Sequence, residues 1–157
     1  MEFKVKNKVI EIVFDYRTMF KVDKKLASKN AETGMSNGDG VGNLFNKILN
    51  HDDDGIVDLI LLSANKAFSR GVSEDDAIAA IEAWLDEHEE DSTKALFEEI
   101  QAEVIASGFF KEKILKYITN LKEALKTMKA QDNESEERAL QIMGLEKIIG
   151  KMENAVS

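Results

Sequence analysis

Hydrophobic and polar residues alternate only near the amino terminus of the chain. Phe3 and Val5 alternate with lysines, and a second alternating run follows. The apolar members of that second run are Ile10, Ile12 and Phe14. A period of two residues is typical of a half-buried strand, and Asn7-Lys8 between the runs can form a tight turn because asparagine tolerates the left-handed backbone. The pattern predicts a β-hairpin over residues 2 to 14.

The chain after the hairpin follows the helical period of 3.6 residues. Asp15 is placed to cap a first helix, whose predicted apolar face consists of Tyr16, Met19, Phe20 and Leu26. A turn-rich loop is expected over residues 30 to 42, and an apolar, central helix over 56 to 68. Ser73 and the acidic residues that follow it predict the start of a further helix. Because the sequence contains no proline, nothing forces these helices to break. We predict a mostly α-helical (α+β) fold of about six helices, with the hairpin as its only sheet.

The longest predicted helix runs from Phe109 to about Lys129, after Ser107-Gly108 closes the helix before it. Its apolar residues recur every three or four positions, as in a coiled coil; they are Phe110, Ile114, Ile118, Leu121, Leu125 and Met128. The polar stretch after residue 130 indicates a domain boundary. We therefore predict one domain over residues 1–130. Residues 131–157 are expected to form a polar linker and an amphipathic helix that is only marginally stable, since Gly144 and Gly150 weaken it.

The charge of the chain is negative and unevenly distributed. The 157 residues contain 21 Lys plus Arg against 30 Asp plus Glu, a formal net charge of -9. Residues 73 to 103 alone carry -11, whereas 104 to 130 carry +4. This separation predicts self-association through opposite charges, and the modest basic segments argue against nucleic acid as a partner. No apolar run reaches the ~18 residues of a membrane span and no secretory signal is present, which predicts a soluble cytoplasmic protein with no membrane partner.

Candidate chemistry is sparse. With no cysteine and two histidines, the chain lacks the ligands of most zinc and iron sites. The sharpest local pattern, Asn50 to Leu61, matches six features of a calcium-binding loop but ends in leucine where a bidentate glutamate is expected. The glycines at 38, 40 and 42 lack the lysine of a phosphate-binding loop. We expect no catalytic residue, no metal and no cofactor, and hence no enzyme. A calcium-binding regulatory protein and an acidic inhibitor that mimics DNA remain the alternative functions.

The order of several short motifs resembles a known protein family. These motifs are the hairpin Met1 to Phe14 leading into Asp15-Tyr16, then Val22-Asp23-Lys24-Lys25, Asp58-Leu59-Ile60, Ser73-Glu74-Asp75-Asp76, and Leu96-Phe97 to Ser107-Gly108-Phe109-Phe110-Lys111. Together they resemble the tail assembly chaperones of long-tailed bacteriophages and prophages of Gram-positive bacteria, over roughly residues 1 to 125. The triple aspartate at 52 to 54 and the segment after residue 130 are not part of that pattern.

This resemblance implies a function that involves no catalysis. A member of the family would bind the tape measure protein, keep it soluble and recruit tail tube subunits around it. It would act in the cytoplasm of the bacterial host and be absent from the mature virion. A tape measure protein is a long apolar helical chain, so its binder needs an apolar helical ridge. We predict that this ridge consists of Phe110, Ile114, Ile118 and Leu121.

Overall fold

A computed structural model describes residues 1–64, 71–131 and 135–157 of the chain. Within these ranges the protein consists of seven helices and one two-stranded antiparallel sheet. The strands are β1 (Glu2–Val5) and β2 (Lys8–Glu11). The helices are α1 (Tyr16–Lys25), α2 (Gly40–Leu49), α3 (Asp53–Ala64), α4 (Glu74–Glu87), α5 (Lys94–Ala106), α6 (Gly108–Ala130) and α7 (Glu136–Val156). The predicted fold class is confirmed, with one helix more than expected.

The hairpin forms at the predicted place but turns one residue earlier. Val5 pairs with Lys8, so Lys6 and Asn7 are the turn residues rather than Asn7 and Lys8. Lys6 adopts the left-handed backbone, with φ of 54°. Alternation then puts one face of the hairpin against the helices, and its buried residues are Phe3, Val5, Ile10 and Ile12. β1 packs on α4.

Two helix starts predicted from the sequence are confirmed in atomic detail. The carboxylate of Asp15 accepts a hydrogen bond from the backbone N–H of Thr18 at 2.8 Å, which caps α1. At the start of α4, Ser73 and Asp76 form a reciprocal capping box: the Ser73 hydroxyl accepts from the Asp76 N–H, and the Asp76 carboxylate accepts from the Ser73 N–H. Such caps satisfy backbone donors that the first helical turn leaves unpaired.

The core is organised around α2 and α3. α2 packs against α1, α3, α5, α6 and α7, and the three largest buried side chains that it contributes are Leu44, Phe45 and Ile48. α3 is apolar over much of its circumference, as expected for a central helix, and buries Ile56, Leu59, Ile60 and Ala64. The prediction that this helix extends to Phe68 concerns residues outside the described part of the chain.

Two glycines of α2 permit unusually close packing. A Cβ atom on Gly40 would lie closer than 3.0 Å to backbone atoms of Val22 and Asp23 at the end of α1. A Cβ atom on Gly42 would come equally close to ring carbons of Tyr117 on α6. The sequence predicts a loop over both glycines, which is wrong. They are the first and third residues of a helix, where the absence of a side chain lets two other helices approach.

Two further details differ from the sequence-based predictions. On α1 the buried residues are Met19 and Val22, whereas Tyr16 and Phe20 point outward. Gly108 does not close α5; it is the first residue of α6, and Ser107 is the shared boundary between the two helices. Because Ser107 has an extended backbone, with ψ of 115°, one residue suffices to change the chain direction and no left-handed glycine is needed.

The last two helices form an antiparallel hairpin. Lys122 and Lys129 of α6 make ion pairs with Glu153 and Glu146 of α7. Ile149 and Met152 are the buried residues of α7. None of the helices in the described ranges combines the length and apolar character that a membrane crossing requires.

Candidate functional site

A groove of about 510 Å³ opens between α1 and the start of α6. Three aromatic side chains line it, and each is at least half exposed: Tyr16 at 58%, Phe20 at 54% and Phe109 at 50%. The rings of Tyr16 and Phe109 meet edge to face, with centroids 5.6 Å apart and an interplanar angle of 76°. We call the surface formed by Tyr16, Phe20 and Phe109 the aromatic groove. Exposed aromatic residues grouped in this way are typical of a binding surface.

A second aromatic pair, the inner pair, is formed by neighbouring residues of the same two chain segments. Phe14 and Phe110 also meet edge to face, with centroids 5.3 Å apart, but both are buried. The Ser107 hydroxyl donates a hydrogen bond of 2.7 Å to the carbonyl of Phe14, which ties the start of α1 to the start of α6. The inner pair and this hydrogen bond therefore fix the two chain segments that present the outer pair.

An ion pair is part of the lining of the aromatic groove. The Lys113 ammonium lies 2.7 Å from the Asp23 carboxylate, which is largely buried. Asp23 also accepts a longer hydrogen bond, of 3.4 Å, from the backbone N–H of Val41. The carboxylate thus connects α1 to both α2 and α6. Glu112 and Lys24 also line the groove, so that its apolar centre has a rim of both charge signs.

A polar pocket lies on the other side of the Asp23–Lys113 pair, above the start of α2. Its lining includes Asp39, Lys116 and Tyr117. The Asp39 carboxylate is already engaged, since it accepts bonds of 2.7 and 2.5 Å from the backbone and hydroxyl of Ser28. Burial raises the pKa of the Tyr117 hydroxyl, and the negative charge of Asp39 adds to the shift. This hydroxyl is 3.2 Å from the Asn43 side-chain oxygen, to which it donates.

A comparison with protein-family models identifies the chain. Residues 2–118 match the model of the phage tail assembly chaperone protein, TAC. The chain belongs to this family. The match covers about three quarters of the sequence and includes every residue of the aromatic groove, whereas the second half of α6 and all of α7 lie beyond it. The chain matches no curated protein and no solved structure.

Most of the ridge predicted to bind a partner is buried in the core. Phe110, Ile114 and Ile118 are buried, and Leu121 is half-buried against the same core. Phe110 contacts Phe14 in the inner aromatic pair. In the chain as folded here, a partner would reach these side chains only if α6 lost some of its intramolecular contacts.

The sequence pattern does not predict the aromatic groove. Its helical period predicts that Tyr16 and Phe20 belong to the apolar face of α1, and it marks Phe109 only as the start of a helix. Adjacent helical residues point about 100° apart, and both can be buried, as Leu59 and Ile60 are on α3. The adjacency of Phe109 and Phe110 therefore does not show which of the two faces solvent.

The segment that resembles a calcium-binding loop forms the start of a helix. Residues from Asp53 onward are helical, and the Asp52 carboxylate accepts a hydrogen bond of 3.2 Å from the Asp54 N–H. The Asp58 carboxylate makes an ion pair, at 2.9 Å from the Lys47 ammonium. Burial of Lys47 lowers its pKa, but the hydrogen bond and charge of Asp58, together with Asp52 and Asp54, outweigh that effect, and the pKa is raised. Within the described residues, no group of three or more histidine or acidic side chains could hold a metal ion.

The acidic helix α4 is partly neutralised by the hairpin. Lys6 lies 3.2 Å from Asp76, and Lys4 lies 2.9 Å from Glu87. Hydrogen bonds from Ser73 lower the pKa of Asp76, and the bond from Lys4 lowers that of Glu87. Both histidines stack on aromatic rings: His51 on Phe97 and His88 on Trp84. These contacts give the two histidines structural roles.

Proposed function

We propose that this chaperone binds the tape measure protein of its phage, keeps it soluble and recruits tail tube subunits around it. Membership of the family is the observation that carries the proposal. A long apolar helical chain aggregates unless its apolar stripe is covered. A chaperone that covers the stripe would act in the cytoplasm of the bacterial host and be absent from the mature virion.

The aromatic groove is our candidate for the first contact with the tape measure protein. It lies within the matched region, and its three rings present apolar area that the fold leaves uncovered. Aromatic side chains on a rigid base bind an apolar helix at a low cost in conformational entropy. The mixed charges at the rim, from Lys24 and Glu112, suit a helix that carries both charge signs beside its apolar stripe.

Co-expression with the tape measure protein tests this function. The wild-type chain should keep that protein in the soluble fraction. Replacing Phe20 and Phe109 by serine removes two aromatic contacts; at about 2 kcal/mol for each hot-spot residue, binding should weaken about a thousandfold. The matched control replaces Val9 and Ile78, two exposed apolar residues outside the groove, and should behave as the wild type. A wild-type chain that leaves the tape measure protein insoluble would refute the function, and a groove variant that keeps it soluble would refute the surface.

Self-association belongs to the same proposal. The acidic residues of α4 and α5 and the basic residues of α6 give one chain two surfaces of opposite charge, so that copies can join head to tail. Contacts of this kind weaken as salt screens them. Sedimentation velocity should therefore show assemblies at low salt that dissociate at high salt, and a monomer at every salt concentration would exclude the idea.

A further inference from the structure

Helix α7 covers a groove formed by the second half of α6 and the end of α2. Its two ion pairs with α6 are separated by seven residues on each helix, which fixes an antiparallel register. This register brings the α7 turns with Ile149 and Met152 alongside Leu121 and Leu125 of α6. On the side of α2, the Lys151 ammonium donates a hydrogen bond of 2.7 Å to the Asn50 side chain. We call this covered surface, which includes Leu121 and Leu125, the α2/α6 groove.

Helix α7 buries few of its 21 residues. Ile149 and Met152 are its only buried residues in the described part of the chain, and its other core-facing apolar residues, such as Leu145 and Val156, are only partly buried. At its start the Arg138 guanidinium donates to the Met128 carbonyl of α6, and its ion pairs with α6 join side chains that are about half exposed. Such pairs contribute little to stability. Gly144 and Gly150 weaken the helix further, and neither is needed for packing, because a Cβ atom on either would meet nothing within 4 Å. The fold therefore tolerates a more stable α7 than the sequence provides.

The contacts of α7 describe the kind of helix that the groove accepts. Apolar residues that pack toward the core recur at steps of four, three and four: Leu145, Ile149, Met152 and Val156. Glu146 and Glu153 stand beside this stripe and face the lysines of α6. Any amphipathic helix with this apolar spacing and two acids seven residues apart would make the same contacts.

We propose that α7 is a displaceable internal cover, and that the α2/α6 groove binds an amphipathic, acidic helix of the tape measure protein once α7 leaves it. This inference rests on the proposed function for the identity of the partner. It gives one residue of the predicted ridge a binding role, because Leu121 lies in the groove while Phe110, Ile114 and Ile118 stay in the core. Covering the groove with a segment of the chain itself would prevent apolar surface from being exposed before the partner arrives.

The test uses the full-length chain and, as a probe, a fluorescently labelled peptide of residues 136–157. Replacing Ile149 and Met152 by aspartate should release α7 and strengthen probe binding at least ~10-fold over wild type. The matched control places aspartate at Leu140 and Met143, which are exposed on the same helix, and should bind the probe as wild type does. The opposite variant replaces Gly144 and Gly150 by alanine. Each change favours the docked helix about fivefold, so probe binding should weaken about 30-fold.

Each outcome decides for or against the proposal. Hydrogen exchange shows whether α7 is released in the aspartate variant, and near-ultraviolet circular dichroism of Trp84 shows whether the rest stays folded. A released α7 without tighter probe binding would overturn the inference. If the aspartate variant fails to fold, the alanine variant decides, and unchanged probe binding there would overturn it.

The function and the inference fail in different ways. If the probe binds as expected but the wild-type chain does not keep the tape measure protein soluble, α7 is a displaceable cover and the proposed function is wrong. If the wild-type chain keeps that protein soluble and the alanine variant does so at equally low concentration, the function stands and α7 is not a cover.

Discussion

Gly42 provides the sharpest test of how the helices pack. An alanine there would bring its Cβ atom closer than 3.0 Å to carbons at the root of the Tyr117 ring, a place where the side chain cannot swing aside without moving α6. Overpacking of this kind costs about 1–3 kcal/mol, against which alanine recovers up to about 1 kcal/mol of helix propensity. We expect a net loss of about 1–2 kcal/mol, or roughly 2–8 °C in Tm for a chain of this size.

Gly144 is the matched control, since it is also a helical glycine but has open space where a Cβ atom would lie. The same substitution there should stabilise the chain by up to about 1 kcal/mol, because only the gain in helix propensity remains. Urea unfolding of both variants measures the difference, and a double-mutant cycle with Tyr117→Ala isolates the clash. If Gly42→Ala costs as much without the Tyr117 ring as with it, the close approach of α2 and α6 is not the reason for the glycine.

Two further predictions concern residues with well-defined surroundings. Phe110→Ala should destabilise the fold by about 3–5 kcal/mol, whereas Phe109→Ala, at a half-exposed position one residue away, should cost under about 1 kcal/mol in urea unfolding. The pKa of Asp76 is lowered by hydrogen bonds from Ser73 and by Lys6, so its ionised form stabilises the fold. This contribution is complete above the ordinary value of 3.8 and disappears as the pH falls through the lower folded-state pKa. The difference in urea midpoint between wild type and Asp76→Asn should therefore shrink over that acid range.

Local signals predicted the parts of the fold that depend on neighbours in sequence. The alternation that predicts the hairpin, the Asp15 cap and the Ser73–Asp76 capping box each involve residues within a few positions of one another. The turn was misplaced by one residue because asparagine is the residue most tolerant of left-handed backbone, yet Lys6 takes that conformation in the hairpin. The pairing of the two strands therefore determines the position of the turn, and the preference of asparagine for left-handed backbone does not.

The aromatic groove could not be predicted because it depends on which of two adjacent helix faces is covered. Tyr16 and Phe20 lie one turn apart, as do residues of the buried face, and their spacing alone does not distinguish the two. Met19 and Val22 are the residues that α2, α3 and α6 enclose. The glycines of α2 pose the same difficulty. In the sequence they indicate a flexible loop, because the close contacts with Val22 and Tyr117 appear only in the folded chain.

The apolar stripe of α6 shows why one periodic pattern can serve two purposes. From Phe110 to Met128 the spacing is uniform, so the sequence offers no reason to divide it. The fold divides it: Phe110 and Ile114 are fully buried in the core, whereas Leu121 and Leu125 lie along the ion-paired register of α7 and remain only half-buried. The family match ends at residue 118, near that division. The first half of the stripe thus stabilises the core of the matched region. The second half depends on a helix from outside the matched region, and it is the half that a partner helix of the same pattern can compete for.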